Sequence, residues 1–121
     1  MLRTLAVLFG LALIGFGIIG FMPTITTDGM INGMFKTNAA HNVVHMAIGV
    51  IALWTGFTST HAAKLFFAIF GIVWVIVAIV GFMHGDQNIL GLIANNPANS
   101  WLHLTIGIVS LFLGFGIKKS A

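Results

Sequence analysis

Residues 38–56 read NAAHNVVHMAIGVIALWTG, and residues 96–114 read NPANSWLHLTIGIVSLFLG. Each begins on Asn, carries a histidine seven residues on (His45, His103), continues through Ile-Gly and ends on Gly. Neither contains a formally charged residue. Each is about twenty residues long, the length that crosses a hydrocarbon core of about 30 Å as α-helix. Two further stretches of this kind accompany them, so four spans are expected, at about 3–22, 40–58, 64–83 and 98–117.

Composition demands the same setting. The chain has 121 residues, no cysteine, five basic and two acidic side chains, and 59% apolar residues. A soluble domain carries about a quarter charged residues; with 6%, this chain cannot cover a water-facing surface. A membrane β-barrel is excluded because the apolar runs are continuous and do not alternate every second residue. The partner is therefore a lipid bilayer. The formal charge of +3 is a topology signal and not a nucleic-acid footprint. Arg3, Lys64, Lys118 and Lys119 fall on one side of a four-span chain, against Lys36, Asp28 and Asp86 on the other. The positive-inside rule then puts both termini and a 59–63 loop in the cytoplasm, the chain in a cytoplasmic (inner) membrane, and the loops at about 23–37 and 84–95 outside. The first span is followed by GFMPTITT, with no small-x-small cleavage site, so it is expected to stay as a span.

The chain repeats itself. A shift of 58 superposes Asp28 on Asp86, Gly33 on Gly91, Asn38 on Asn96, His45 on His103, Gly49 on Gly107 and Gly56 on Gly114. Upstream, a shift of 61 superposes Phe9-Gly10 on Phe70-Gly71 and Gly20-Phe21-Met22 on Gly81-Phe82-Met83. One membrane domain, 1–121, is thus expected from two repeats, 1–60 and 61–121, each a helix, an outer loop and a second helix. Two spans per repeat give both the same orientation, so the repeats are parallel. Small residues recur every seventh position (Gly10/Gly17, Gly49/Gly56, Gly71/Ala78, Gly107/Gly114), which permits close packing in lipid at crossings of about +20°. The expected fold is an all-α, up-down-up-down bundle of four transmembrane helices, built from two parallel helical hairpins. GFGIIGF, at 15–21, sits within a span and serves packing rather than phosphate binding. Glycine-rich faces also suit assembly with further copies or with another membrane protein. Apolar pairs in both outer loops suggest short interfacial segments over the bundle end.

Asn38 and the Asn96-Pro97 pair have the form of helix caps. From them, His41, His45, Gly49, Ala52 and Gly56 share one helix face, and Asn99, His103, Gly107, Ser110 and Gly114 share the matching one. These small and polar faces should point inward, setting His45 opposite His103. Ionisable groups inside a membrane read as functional by default. Four roles fit. The first is structural, the pair bonding to loop carbonyls or to Asp28 and Asp86 and organising the outer half of a non-enzymatic accessory protein. The second is a b-type haem on His45 and His103, with Gly49 and Gly107 leaving room for the porphyrin; against it, Lys36, Asn38 and Asn96 are nearly all the chain offers to the propionates. The third is a metal ion on His41, His45 and His103; copper is suggested by Met22, Met30, Met34, Met46 and Met83 in the same half. The fourth is passage of protons or a small solute, for which only Ser110 and Thr55 continue the polar path. His84 is expected on an outer loop and His61 at the far side, away from the site. No Ser-His-Asp set at matching depth, carboxylate pair or phosphate loop is present, so catalysis is not expected.

The motifs N-x-x-H-N-x-V-H-x-x-I-G-V-x-x-L (from Asn38) and N-x-x-x-N-x-x-L-H-L-x-I-G-I (from Asn95) resemble a bacterial family of small four-span membrane proteins known by a domain of unknown function. The resemblance covers most of the chain and maps onto Asn38, His41, Asn42, His45 and Gly49, and onto Asn99, His103 and Gly107. Ser100-Trp101 departs from it, where a smaller pair is expected. The resemblance implies a fold class and a recurrent histidine motif, and brings no activity with it.

Overall fold

Glycines decide which helices touch. In the computed structural model, which describes residues 1–117, the long helices are α1 (Leu2–Ile19), α2 (Ala39–Thr58), α3 (Thr60–His84) and α4 (Pro97–Leu111). A Cβ placed on Gly10 would lie 2.6 Å from the Gly49 carbonyl oxygen, and one on Gly49 would lie 2.8 Å from that of Gly10. One on Gly56 would lie 2.8 Å from the Arg3 carbonyl. Ascending positions on α2 thus meet descending positions on α1, and the two run antiparallel. The second pair repeats the pattern: a Cβ on Gly71 meets the Leu111 backbone nitrogen at 2.8 Å, and one on Gly107 meets that of Val75 at 3.0 Å. Lipid offers no hydrophobic drive between helices, so close backbone packing of this kind is a source of attraction within each hairpin.

All four helices, with α4 counted through its continuation to Gly116, are long and apolar enough to cross a membrane. The chain is a multi-pass membrane protein with its polarity turned inward. Trp54, Phe57, Ile76, Phe112 and Phe115 are exposed, while His41, Asn42, His45, Asn99, Ser100, His103 and Ser110 are buried. Buried Leu2, Ala6, Gly10, Leu13 and Gly17 on α1 have buried counterparts 61 positions on, at Ala63, Phe67, Gly71, Trp74 and Ala78. Near the Ser59 end, Phe9 meets the edges of Phe66 and Phe67 at 5.9 and 5.8 Å.

Helix ends differ from the expected bounds. The 59–63 loop shrinks to Ser59, which ends α2 through its N–H on the Thr55 carbonyl (3.2 Å) and starts α3 by accepting the Ala62 N–H (3.0 Å). One extended serine does both because its side chain substitutes for the missing turn of backbone acceptors. α4 leaves α geometry at Leu111 and continues as a π-helical turn, Phe112–Gly116, with Gly114 against the backbone of Ala68. Cations close the hairpins at this end: Arg3 donates to the carbonyls of Gly56 (2.8 Å) and Phe57 (2.9 Å), and Lys64 to that of Ile117. A positive side chain is favourable against the unpaired carbonyls of a helix C-terminus. Lys118 and Lys119, used above for orientation, lie outside the described residues.

The long loops at the other end are not matched. The first is a three-stranded antiparallel meander, β1 (Thr26–Thr27), β2 (Met30–Ile31) and β3 (Phe35–Lys36). The second has one bridge, Ile89 to Ile93. Both turn through left-handed pairs at positions 58 apart, Asn32-Gly33 (φ 51° and 68°) and Leu90-Gly91 (φ 55° and 69°). The loops are cross-tied: Asn38 Nδ2 donates to the Leu92 carbonyl (2.9 Å), and Asn96 Nδ2 to the Met34 carbonyl (3.1 Å). Each asparagine spends its oxygen on its own helix N-terminus, accepting from His41 and Asn99 N–H respectively, both at 2.9 Å. Donor and acceptor on one amide thereby hold helix start and opposite loop together.

Candidate functional site

His41 and His45 are one turn apart on α2 and share its inward face; His103 projects from α4 at the same level. All three are buried, at 2%, 4% and 3% exposure. Ring centroids lie 4.1 Å apart for His41–His45, 5.7 Å for His45–His103 and 6.1 Å for His41–His103. One ring nitrogen from each can be chosen so that all lie within 4.8 Å of one another. An ion bound at about 2.0–2.1 Å holds its nitrogens about 3.5 Å apart, closer than the 4.8 Å within which these three lie.

Two of the rings have their tautomer set from outside. His45 Nδ1 is 2.9 Å from the His41 carbonyl, so it is the N–H donor and Nε2 carries the lone pair. Thr37 gives its one hydroxyl proton to Asn42 Oδ1 (2.5 Å). Toward His41 Nδ1, 3.2 Å away, the Thr37 oxygen must therefore accept, which leaves the lone pair on His41 Nε2. That nitrogen is buried without a partner. Both nitrogens of His103 are buried without a partner. His84 behaves otherwise. It is the last residue of α3 rather than part of the loop, and its Nδ1 rests on the Val80 carbonyl at 2.8 Å.

Trp74 of α3 forms a wall of the site, nearly parallel to His103 at 5.1 Å and 5.6 Å from His45. A cavity of about 100 Å³ is lined by all three histidines, Trp74, and the aliphatic side chains of α2, α3 and the second loop. A second cavity, about 250 Å³, reaches His45 between α1 and α4. No methionine lines either cavity among the described residues. Met46 packs on Gly17, and Met22, Met34 and Met83 are exposed.

Gly49 and Gly107 do not frame a slot beside the histidines. They are spent on contact with α1 and α3. Lys36, Asn38 and Asn96 are engaged as well, Lys36 Nζ donating to the Asp86 carbonyl at 2.6 Å. Below the site, the Thr55 hydroxyl bonds back to Ala52 O (2.9 Å) and Ser110 Oγ is unpartnered.

A family model for a domain of unknown function, DUF4383, matches residues 3–116. The chain belongs to this family. Neither a search of curated proteins nor one of solved structures finds a match.

Thr37, Asn95 and Trp74, to which the sequence assigned no role, complete the geometry together with Asn42 and Ser100. Thr37 and Asn42 correspond, at the shift of 58, to Asn95 and Ser100, and each pair is one hydroxyl donating to one amide oxygen with the order exchanged (2.5 and 3.3 Å). Asn95 also donates to the carbonyls of Gly81 (3.0 Å) and Gly85 (2.9 Å), tying the end of α3 to the start of α4. Only the Thr37–Asn42 pair has a histidine against it, since the residue 58 positions on from His41 is Asn99. Trp74 had a signal as well: it stands on the Gly71/Ala78 stripe, aligned with Leu13.

Proposed function

We propose that this protein holds a transition-metal ion on His41, His45 and His103 in the interior of its membrane bundle. The observation that carries the reading is three convergent buried imidazoles with three of their nitrogens unpartnered. A buried polar group without a partner costs about 1–3 kcal/mol, so such nitrogens need a reason to be kept. Metal-binding histidines typically donate their other ring N–H to a carbonyl or a neighbouring oxygen, and His45 and His41 both do. A purely structural pair is less well supported, because His103 makes no hydrogen bond with either nitrogen. A porphyrin is less well supported because His41 and Trp74 crowd the two rings that would clamp it. Charge distribution favours placing the Ser59 end in the cytoplasm of a bacterium, so that the metal lies in the outer half of the inner membrane.

The test is elemental analysis and thermal unfolding of the detergent-purified chain after chelation and exposure to single metals. One ion per chain, with unfolding shifted upward, is expected; at a free concentration of about 100 times Kd the gain is about 2.7 kcal/mol. His41→Ala, His45→Ala and His103→Ala should each abolish the shift, while His84→Ala keeps it. If no metal shifts unfolding of the wild type, the reading is wrong.

A further inference from the structure

We infer that the ion is monovalent copper, held three-coordinate by the three imidazoles. This rests on the metal reading above and goes further, to charge and coordination number.

Charge is the first argument. The shell consists of neutral imidazoles, with no carboxylate among the clustered residues. The chain has only two acidic residues, Asp28 and Asp86, and both are exposed in the loops. The cost of burying an ion rises with the square of its charge, so a dication is penalised about four times as heavily as a monocation of similar size. A divalent ion here would keep its full double charge in an apolar interior.

Coordination number is the second. Zinc in a protein takes four ligands, the fourth from the protein or from water. Beyond the histidines and Trp74, the cavity wall is Val44, Ile48, Val73, Val77, Ile89 and Ile93. None of these side chains has a polar atom; the Trp74 indole N–H, buried without a partner, is the one polar group of that wall besides the histidines, and it has no lone pair to give a metal. Cu(I) and Zn²⁺ both have a filled d shell, but the single charge of Cu(I) is satisfied by fewer donors, and three imidazole nitrogens in a trigonal array suffice. Imidazole is among the ligands that suit copper. The ion enters and stays as Cu(I), so no electron transfer is involved.

The experiment uses the full chain in detergent, stripped of metal. Cu(I) is added anaerobically against a chromophoric Cu(I) chelator; Zn²⁺, Ni²⁺ and Cu²⁺ are offered in parallel, and X-ray absorption is recorded on whatever binds. The expected result is one Cu(I) per chain with three nitrogen neighbours and no fourth. Its affinity should exceed that for Zn²⁺ by at least about 100-fold, and His103→Ala should weaken it by at least about 100-fold. If a divalent ion is retained while Cu(I) is lost to the chelator, the copper inference fails and the metal reading survives. Retention of no metal overturns both. Cu(I) held equally by His103→Ala, or with sulfur neighbours, places it elsewhere and overturns the inference. Should His103→Ala fail to fold, the nitrogen count in the wild type decides alone.

Discussion

His103→Leu should make the metal-free protein more stable. His103 is 3% exposed and neither ring nitrogen has a partner. Whichever tautomer it adopts, one N–H and one lone pair are buried unsatisfied. Such groups cost about 1–3 kcal/mol, and replacing them by an apolar side chain of similar size is neutral or favourable. Against this stands the loss of stacking on Trp74 at 5.1 Å. An aromatic pair of that kind contributes about 0.5–1.5 kcal/mol. Two such groups, less the stacking, leave a gain of at least about 1 kcal/mol, read by denaturant or thermal unfolding in detergent after chelation. Saturating metal should reverse the order, because only the wild type acquires the binding free energy. The reasoning is refuted if the metal-free Leu variant is less stable than wild type by about 1 kcal/mol or more, since a ring costing that much to remove must be bonded or packed for the fold.

Thr37→Val should free His41 Nδ1 from its acceptor and weaken metal binding about 10- to 100-fold, or about 1.4–2.8 kcal/mol, with Thr37→Ser restoring it; unchanged affinity in a competition titration would refute the tautomer argument. Gly10→Ala should destabilise by about 1–3 kcal/mol, because its Cβ meets the Gly49 carbonyl at 2.6 Å, whereas Gly15→Ala, with nothing within 4 Å, should be neutral or stabilising by up to about 1 kcal/mol. Equal unfolding curves for the two would mean that α1 and α2 do not pack through Gly10. Asn96→Ala removes both the helix cap and the tie to Met34, and should cost about 1–2 kcal/mol or more; Asn96→Asp keeps the cap and should lose only part of this.

Much of the architecture was legible in the sequence. Span number and position followed from charge-free runs, because lipid tolerates few alternatives to a helix of about twenty residues. Both asparagine caps and Pro97 were readable, since capping is a local interaction within one turn. The inward face of α2 and α4 followed from small residues at helical spacing. Loop form was not readable: similar apolar pairs lie in a meander in one loop and beside a single bridge in the other. Two-residue strands depend on where the loop ends are pinned, and local preference is too weak to decide them. Nor was the single-residue turn at Ser59, whose two hydrogen bonds exist only once both helices are in place.

For the site, sequence alone determined which face carries the histidines and that they sit at a common depth, because both properties are counted along one helix from its own cap. Tertiary structure alone decided what surrounds them. It brought Trp74 in from α3, set Thr37 and Asn42 behind His41, used Gly49 and Gly107 as contacts for other helices, and left His103 without a hydrogen bond. Helical periodicity fixes the direction of a side chain within its own helix. Ligand distance and hydrogen-bond partner depend on the rotation and separation of neighbouring helices, which are set by every contact in the bundle together.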